Sequence, residues 1–402
     1  MVASIRKDGL MALQELFTKY VENKIFLNRE ALTTSFTPEN IPQREKEIHE
    51  MGRILAPALK GGKPSNVFVY GRCGTGKTLV SKLVAQELKK AANGHAVNII
   101  YTNCKLKKIA DTEYRLLASF IKQFGRDVPF TGLPTDQLYH TFFDLLDEKS
   151  QTLILVIDEI DALVEKTGDE ILYNLTRINQ DLKHSRISIV GITNNTNFIE
   201  SLDPRIRSSL GEEELIFAPY NALQLQEILR SRAQLAFGPD VLEEGVIEKC
   251  AALAAQEHGD ARRALDLLRV AGELAERNGN PKVTLNHVDL AQEKVDMDRV
   301  VEVVKAQPKQ SQAILYSIMS FEKKDIETSD VLNKYQEVCK NNGLKPLTQR
   351  RVSDLIAELD MLGVINSKVI SRGRYGRTRI ISLDVYNSVE KKLRNLLNPM
   401  FL

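Results

Sequence analysis

The sequence has no apolar run long enough to cross a membrane, and its most apolar stretch, residues 153–157, is only strand-sized. The first residues also lack the apolar core of a signal peptide. Its four cysteines lie far apart and form no C-x-x-C pair, which argues against disulfides and against a zinc site. The formal net charge is only +2, so any surface that binds an anionic partner has to be local. These absences predict a cytoplasmic protein with no membrane partner.

The clearest positive feature is the segment 71–78, Gly-Arg-Cys-Gly-Thr-Gly-Lys-Thr, which follows the apolar run 67–70 and precedes a predicted helix. This is the phosphate-binding loop G-x-x-x-x-G-K-[ST], in the required order of strand, loop and helix. Its glycines let backbone amides surround a polyphosphate, Lys77 supplies a charge for the β and γ oxygens, and the Thr78 hydroxyl can ligate Mg²⁺. The loop predicts a site for ATP or ADP, with Gly71, Arg72, Cys73, Gly74, Thr75, Gly76, Lys77, Thr78 and Leu79 as its binding residues.

A second apolar strand, residues 153–157, ends in Asp158 and Glu159. In phosphate-loop ATPases an acid at this position holds Mg²⁺, which assigns Asp158 to the metal together with Thr78. Glu159 then stands where a base would orient the attacking water. The alternative for Glu159 is an acid that only favours the start of the next helix.

A third strand, residues 187–193, runs into Asn194 and Asn195. An amide at the end of a central strand would lie beside the γ-phosphate, where it could sense that group or position water. Asn194 is the first residue after the strand and is therefore the better candidate. The alternative is a plain turn, because Asn-Asn favours loops.

Two arginine pairs follow, Arg205 with Arg207 in an Asp-Pro-Arg turn and Arg262 with Arg263 after a Gly-Asp break. From residue type alone, each pair is either solvated surface or a source of guanidinium groups for the γ-phosphate. An arginine supplied to a neighbouring subunit would stabilise charge in the transition state.

The order of these motifs resembles the AAA+ ATPases. Within that class, the segment 36–45, Phe-Thr-Pro-Glu-Asn-Ile-Pro-Gln-Arg-Glu, resembles archaeal replication initiators related to origin-recognition-complex subunits and cell-division-cycle loaders. The resemblance implies that this segment, including Arg44, covers the base and ribose of the nucleotide. It implies that Asn194 is the first sensor, Arg205 the arginine finger and Arg262 the second sensor, with Arg207 and Arg263 as substitutes.

Composition and periodicity predict an α/β fold in three parts. Residues 25–217 alternate strands and helices, as expected for a parallel-sheet AAA+ domain, and residues 218–297 form a helical lid. A polar stretch at 296–310 looks like a hinge into a third domain, residues 308–402.

The third domain has the pattern of a winged helix-turn-helix, with three predicted helices followed by two alternating strands around a glycine turn. Thr348 is a good N-cap for the third helix, and no acid occurs between Asp360 and Asp384. Helix-turn-helix domains meet DNA with the start of this helix, and a basic wing suits the minor groove. The candidate DNA-binding residues are Gln349, Arg350, Arg351, Lys368, Arg372, Arg374, Tyr375 and Arg377. The alternatives are a wing that is only solvated, or a winged domain used for protein contact.

More sequence separates the second and third strands than one crossover helix requires. In the family that the chain resembles, an extra helical insertion here touches DNA, which makes Arg126 and Thr131 candidate contacts. The alternative is a surface loop.

Together these features predict an ATP-dependent replication initiator that uses Mg²⁺ and slow hydrolysis as a switch. Its expected partners are double-stranded origin DNA, the replicative helicase and another initiator subunit, and its expected place is at the nucleoid in the cytoplasm. Two other functions stay open, a nucleotide-regulated winged-helix transcription factor and a clamp-loader-like remodelling ATPase.

Overall fold

The computed structural model of the protein describes residues 25–38, 40–92, 96–105, 112–129, 132–210, 212–321, 326–371, 377–383 and 387–401. The chain forms two compact units that divide between Leu285 and Asn286. Among the described helices, none is both long and apolar enough to cross a membrane.

A five-stranded parallel sheet forms the centre of the first unit, in the order β2-β3-β4-β1-β5. All eight residues of β3 are buried, as expected for a continuous apolar run in a parallel sheet covered on both faces. Because β4 lies between β1 and β3, the carboxyl ends of these three strands meet at one edge of the sheet. The strands are β1 (Asn66–Gly71), β2 (Ala96–Asn103), β3 (Gln151–Asp158), β4 (Arg186–Thr193) and β5 (Glu212–Phe217).

Helices cover both faces of this sheet and enclose two separate apolar clusters. Short 3₁₀ turns occur at Ala56–Lys60 and Ile178–Gln180. The α-helices of this part are α1 (Glu45–Leu55), α2 (Lys77–Ala91), α3 (Glu113–Gln123), α4 (Thr135–Asp147), α5 (Ile160–Thr167), α6 (Glu170–Arg177), α7 (Phe198–Ser201) and α8 (Pro204–Leu210).

The sequence between β2 and β3 contains the helices α3 and α4, which pack on each other through Phe120 and Phe142 at 5.6 Å between ring centroids. Arg126 follows α3 and is exposed. Thr131 lies outside the described residues.

Three helices form the lid, α9 (Ala222–Ala236), α10 (Val246–Gln256) and α11 (Ala261–Arg277). The start of α9 has a capping box in which the Asn221 and Gln224 side chains satisfy each other's backbone amides.

The chain also has an N-terminal arm, residues 25–38, and the first part of this arm packs on the lid. Its 3₁₀ turn Arg29–Leu32 packs on α9 and α11, and Phe26 forms a β-bridge with Phe237. The sequence grouped residues 25–32 with the α/β domain, because nothing in the pattern shows which domain a short apolar segment will join.

The second unit has its own apolar core. Its antiparallel sheet has the order β6-β8-β7, so the predicted hairpin gains a third, two-residue strand. The strands are β6 (Ile326–Glu327), β7 (Asn366–Ser371) and β8 (Arg377–Ser382), and the helices are α13 (Lys309–Met319), α14 (Thr328–Asn341), α15 (Gln349–Met361) and α16 (Asn387–Phe401).

The stretch 296–310, which the sequence suggested as a hinge, is mostly helical. Helix α12 (Leu285–Ala306) runs continuously through it, and Pro308 then caps α13. Polar composition alone does not break a helix, and Pro308 stands where its missing N–H costs nothing.

Candidate nucleotide-binding site

The phosphate loop joins β1 to α2, and two of its glycines lie in close contact with lid residues. Gly74 has φ +73° and Gly76 has φ +92°, both in the left-handed region that favours glycine. A Cβ at Gly74 would overlap the Asp260 carboxylate, and one at Gly76 would lie 2.8 Å from Oη of Tyr220. The loop therefore needs glycine at these positions both for its backbone conformation and for its contact with the lid.

Lys77, at the start of α2, is 6% exposed. Its Nζ donates to the carbonyl oxygens of Gly71 at 2.6 Å and Arg72 at 2.7 Å, and to Oδ1 of Asn194 at 2.8 Å. Burial lowers the pKa of Lys77, although the nearby acids Glu159 and Asp158 act in the opposite direction. The ammonium is thus held beside the loop by neutral oxygens that a polyphosphate can replace.

The side chain of Asn194 connects Lys77 to Glu159. Its carbonyl oxygen accepts from Lys77, and its Nδ2 donates to Oε2 of Glu159 at 3.0 Å. The same carboxylate oxygen forms an ion pair with Lys105 at 2.9 Å, and this contact raises the pKa of Lys105. Glu159 has φ +56°, which for a residue other than glycine is a costly conformation.

Asp158 ends β3 and is 5% exposed. Its Oδ2 accepts from the Thr78 hydroxyl at 2.9 Å and from the Tyr101 hydroxyl at 2.6 Å. Burial and the bond to Asp158 raise the pKa of Tyr101 well above its usual value, so the phenol stays a donor.

The donor set at this edge suits Mg²⁺. Within the described part of the chain, no group of three or more His, Cys, Asp or Glu side chains is arranged to hold a metal. Mg²⁺ in nucleotide sites does not need such a cage, because it takes one or two protein oxygens and completes its shell with phosphates and water. The Asp158 carboxylate and the Thr78 hydroxyl are oxygen ligands of that kind.

One pocket gathers these residues with the lid and the arm. It is lined by loop residues 73–79, by Asp158, Glu159 and Asn194, by arm residues 33–38, and by lid side chains that include Arg232 and Arg262. Of the predicted binding residues, Arg44, Gly71 and Arg72 do not line it.

The guanidinium of Arg262 faces this pocket, and that of Arg263 does not. Arg262 Nη1 lies 3.5 Å from Sγ of Cys73 in the loop. Arg263 instead pairs with Glu257 and is only 10% exposed. The geometry favours Arg262 over Arg263 as the arginine that can reach a nucleotide.

Arg44 lies behind the loop and is 4% exposed. Its Nε donates to the Thr75 carbonyl and to the Tyr220 hydroxyl, each at 3.0 Å, and it pairs with Glu47. Its guanidinium carbon is also 4.0 Å from the centroid of the Tyr220 ring. The structure places Arg44 as a support for the loop, with its charge already compensated.

Arg205 and Arg207 lie at the start of α8 and are exposed. The Arg205 side chain is 85% exposed and pairs with Asp203 at 3.2 Å. This pairing raises the pKa of Arg205 and lowers that of Asp203. Neither arginine lines the pocket of its own chain.

In the second unit, Gln349, Arg350 and Arg351 form the exposed first turn of α15, capped by the Thr348 side chain. Lys368 is exposed on β7, and Arg377 begins β8. Arg372, Arg374 and Tyr375 lie outside the described residues. Oδ1 of Asp360, near the end of α15, accepts from the Ser367 amide at 3.0 Å, and Oδ2 accepts from the Ser367 hydroxyl at 3.0 Å. Asp360 thus ties the third helix to the first strand of the wing.

Sequence reasoning missed Tyr101, Tyr220 and Arg232. Tyr101 lies on β2, whose partner strand β3 carries Asp158, and only strand order brings the two side chains together. Tyr220 follows the last strand of the sheet, where a proline precedes it. Arg232 stands on a lid helix, with no local pattern that distinguishes it from a surface arginine.

Comparison with known proteins agrees with this architecture. Residues 67–218 match the model for ATPases associated with various cellular activities, residues 226–293 the Cdc6 AAA+ ATPase-type lid domain, and residues 302–390 the Cdc6 C-terminal winged helix domain. An ORC1-type DNA replication protein of Pyrococcus abyssi is 52% identical over 394 residues, covering 96% of this chain and 93% of the relative. The chain belongs to the ORC1-type DNA replication proteins.

Other members of the ORC1-type family show the same extent of similarity. ORC1-type DNA replication protein 1 of Methanosarcina mazei is 49% identical over 93% of this chain and 91% of its own length. The ORC1 protein of Aeropyrum pernix, whose structure was solved in complex with DNA, is 45% identical, with a TM-score of 0.79 over 94% of this chain and 98% of that one. These matches confirm the predicted fold of AAA+ ATPase domain, helical lid and winged helix, and the predicted archaeal family.

Proposed function

We propose that this protein is an ATP-dependent replication initiator that binds origin duplex DNA and helps to recruit or load the replicative helicase. The observation that carries the proposal is its 45% identity, over nearly the whole chain, to an ORC1 protein whose structure is a complex with DNA. The exposed basic start of α15 supports the same conclusion, because such helix ends meet base edges or phosphates in helix-turn-helix docking.

The nucleotide would lie in the pocket between the phosphate loop, the arm and the lid. Lys77 would exchange its neutral oxygen partners for phosphate oxygens, which gives the buried ammonium an anionic partner. Glu159 would orient the attacking water, held in place by Asn194, and Arg262 would connect the phosphates to the lid. Mg²⁺ held by Thr78 and Asp158 would neutralise phosphate charge.

Hydrolysis would be slow and would act as a switch. The pocket is built from the loop, the arm and the lid together, so loss of the γ-phosphate changes contacts on elements that can move apart. Arg205 is exposed and does not line its own chain's pocket, so it would act on the nucleotide of a second initiator subunit. An isolated subunit is then expected to hydrolyse ATP poorly. The expected location of the protein is at the nucleoid, in the cytoplasm.

Footprinting of the full chain on tiled fragments of its own genome tests the proposal. We expect a discrete protected site where replication starts, weakened by Arg372→Ala/Arg374→Ala. A Lys340→Ala/Lys391→Ala variant, which loses the same charge from helices of the same unit, serves as the matched control. Protection only at promoters would replace the initiator by a transcription regulator. If no site is protected, the winged domain would instead be interpreted as a protein-binding module.

A further inference from the structure

The N-terminal arm is attached to the lid before it reaches the pocket. The amides of Leu27 and Asn28 donate to the Ala236 carbonyl at 2.8 and 3.2 Å, and Arg29 pairs with Glu276 on α11. The rings of Phe26 and Phe237 stack at 4.9 Å between centroids. Residues 33–38 then continue along the pocket that also contains the phosphate loop. The arm is therefore a part of the lid that covers one side of the candidate nucleotide site.

Arg232, on α9, holds the arm where it enters the pocket. Its Nη1 donates to the Ala31 carbonyl at 3.2 Å and its Nη2 to the Phe36 carbonyl at 3.4 Å. Its guanidinium carbon lies 4.8 Å from the centroid of the Phe36 ring. Both Arg232 and Phe36 line the pocket.

Among the described residues, the buried charge of Arg232 has no carboxylate partner. The residue is 7% exposed, and the described part of the chain offers it no acid within ion-pair distance. Burial alone lowers its pKa. A buried cation is costly unless it has partners, and here two carbonyls accept from the guanidinium and one aromatic ring faces it. Every one of these groups belongs to the arm.

The neighbouring arginine on the same helix behaves differently. Arg230 is 56% exposed and pairs with Glu248 on α10. An exposed pair of this kind contributes little to stability. The two arginines are two residues apart, so they offer a matched comparison between a cation that holds the arm and one that does not.

We propose that Arg232 is a positioning residue that holds Phe36 and the adjoining backbone of the arm against the lid, and thereby sets how long a nucleotide stays bound. Because residues 33–38 line the pocket and Arg232 holds this part of the arm, loosening its contacts would uncover that side of a bound nucleotide. The inference rests on the proposed binding of ATP or ADP in this pocket. It assigns the nucleoside end of the ligand to the part of the pocket lined by the arm, because Lys77 and the phosphate loop line the part that would hold the phosphates.

The test is the release of radiolabelled ADP from the full chain after addition of excess unlabelled ADP. We expect Arg232→Met to release ADP about tenfold faster, since it loses two hydrogen bonds from a charged donor. Inorganic tripolyphosphate, which lacks the nucleoside, should bind this variant as it binds the wild type. Arg232→Lys should recover part of the residence time, because it keeps the charge but not the fork of donors.

Arg230→Met is the control and should release ADP at the wild-type rate. Phe36→Leu provides a second variant that leaves the buried guanidinium in place, and it should also speed release. The double variant Arg232→Met/Phe36→Leu should release ADP no faster than Arg232→Met alone, because Arg232 and Phe36 act through one contact.

The inference is overturned if Arg232→Met retains the wild-type release rate, or if it loses tripolyphosphate affinity to the same degree as ADP affinity. The second result would mean that Arg232 supports the whole site. Failure of the wild type to bind ADP at all would instead refute the proposed nucleotide site.

Discussion

Nδ2 of Asn194 donates to Oε2 of Glu159 across 3.0 Å, so the residue after β4 holds the acid that follows β3. The other end of the same amide accepts from Lys77 at 2.8 Å. An amide is suited to this position because it offers a donor to the carboxylate and an acceptor to the ammonium. The carboxylate that would orient water is thereby coupled to the lysine that would meet the phosphates.

Asn194→Ala should slow hydrolysis far more than it weakens binding. The change removes the donor that fixes Glu159, and misplacing a general base costs about a hundredfold or more in rate. ADP affinity should change by no more than about threefold, because Lys77 keeps its charge. Single-turnover hydrolysis and equilibrium ADP binding separate the two effects. Asn195→Ala, on the exposed next residue, should leave both unchanged, and equal hydrolysis in Asn194→Ala and wild type would refute the role.

Gly74→Ala should reduce nucleotide affinity by opening the lid. The added Cβ would overlap the carboxylate of Asp260, which caps α11 by accepting from the Arg262 amide at 2.8 Å. We expect the lid helix to move away from the loop and to carry Arg262 with it. We expect ATP affinity to fall at least about tenfold, measured by calorimetry, as one well-placed charged contact is lost.

Gly125→Ala is the control for backbone strain at Gly74. Gly125 has φ +85° and no heavy atom within 4 Å of an added Cβ, so it suffers the conformational cost without the overlap. Both variants should lose about 1 kcal/mol of folding free energy through strain. Only Gly74→Ala should lose nucleotide. Equal nucleotide affinities in the two variants would show that Asp260 yields without moving the lid.

The residues of the site that were predicted best from sequence are those that lie within short local motifs. The phosphate loop, Asp158 and Asn194 lie at the ends of apolar strands, and parallel strands bring such ends to one edge of a sheet. The family resemblance implied Arg44 among the nucleotide contacts, and the structure places it behind the loop, against Thr75 and Tyr220. The spacing of a motif fixes the segment and does not fix the direction of a long side chain.

The contacts missed by sequence depend on residues that meet only after folding. Tyr101 and Asp158 are 57 positions apart, and their hydrogen bond follows from the pairing of β2 with β3. Arg232 and Ala31 are 201 positions apart, across the whole α/β domain. No periodicity within α9 distinguishes an arginine that is buried by a distant arm from one that is solvated.

Nucleotide affinity should fall on the alkaline side at a pH below 10.5, the ordinary pKa of a lysine. Burial lowers the pKa of Lys77 in the free protein, and bound phosphates favour its charged form. Binding therefore takes up a proton once the pH exceeds the lowered pKa, and affinity declines with further increase. ADP titrations across the alkaline range measure this decline.

Lys77→Arg tests the assignment of that decline. An arginine stays charged throughout the range, so its affinity, although lower, should not fall with pH in the same interval. If ADP affinity declines at the same alkaline pH in Lys77→Arg and in the protein that keeps Lys77, the titrating group is not Lys77. Lys77→Ala should lose nucleotide while the full chain keeps its DNA affinity.

Asp360→Asn should weaken DNA binding, although it removes a negative charge that would otherwise repel phosphates. Both oxygens of Asp360 accept from Ser367, from its amide and its hydroxyl, each at 3.0 Å. In asparagine, Oδ1 can still accept from the Ser367 amide and Nδ2 can donate to the Ser367 hydroxyl oxygen, but both bonds lose the charge of the carboxylate, so the strand β7 is less firmly held to α15. Because the basic wing and the start of α15 are proposed to contact the same duplex, loss of their fixed geometry should cost about threefold to tenfold in affinity.

Asp354→Asn removes the same charge from the exposed face of the same helix and should instead leave affinity equal or slightly higher. Titrations at several salt concentrations separate the two effects, since both variants share the electrostatic change and only Asp360→Asn weakens the contact with Ser367. Equal affinities for the two variants would mean that the wing finds its place on DNA without Asp360.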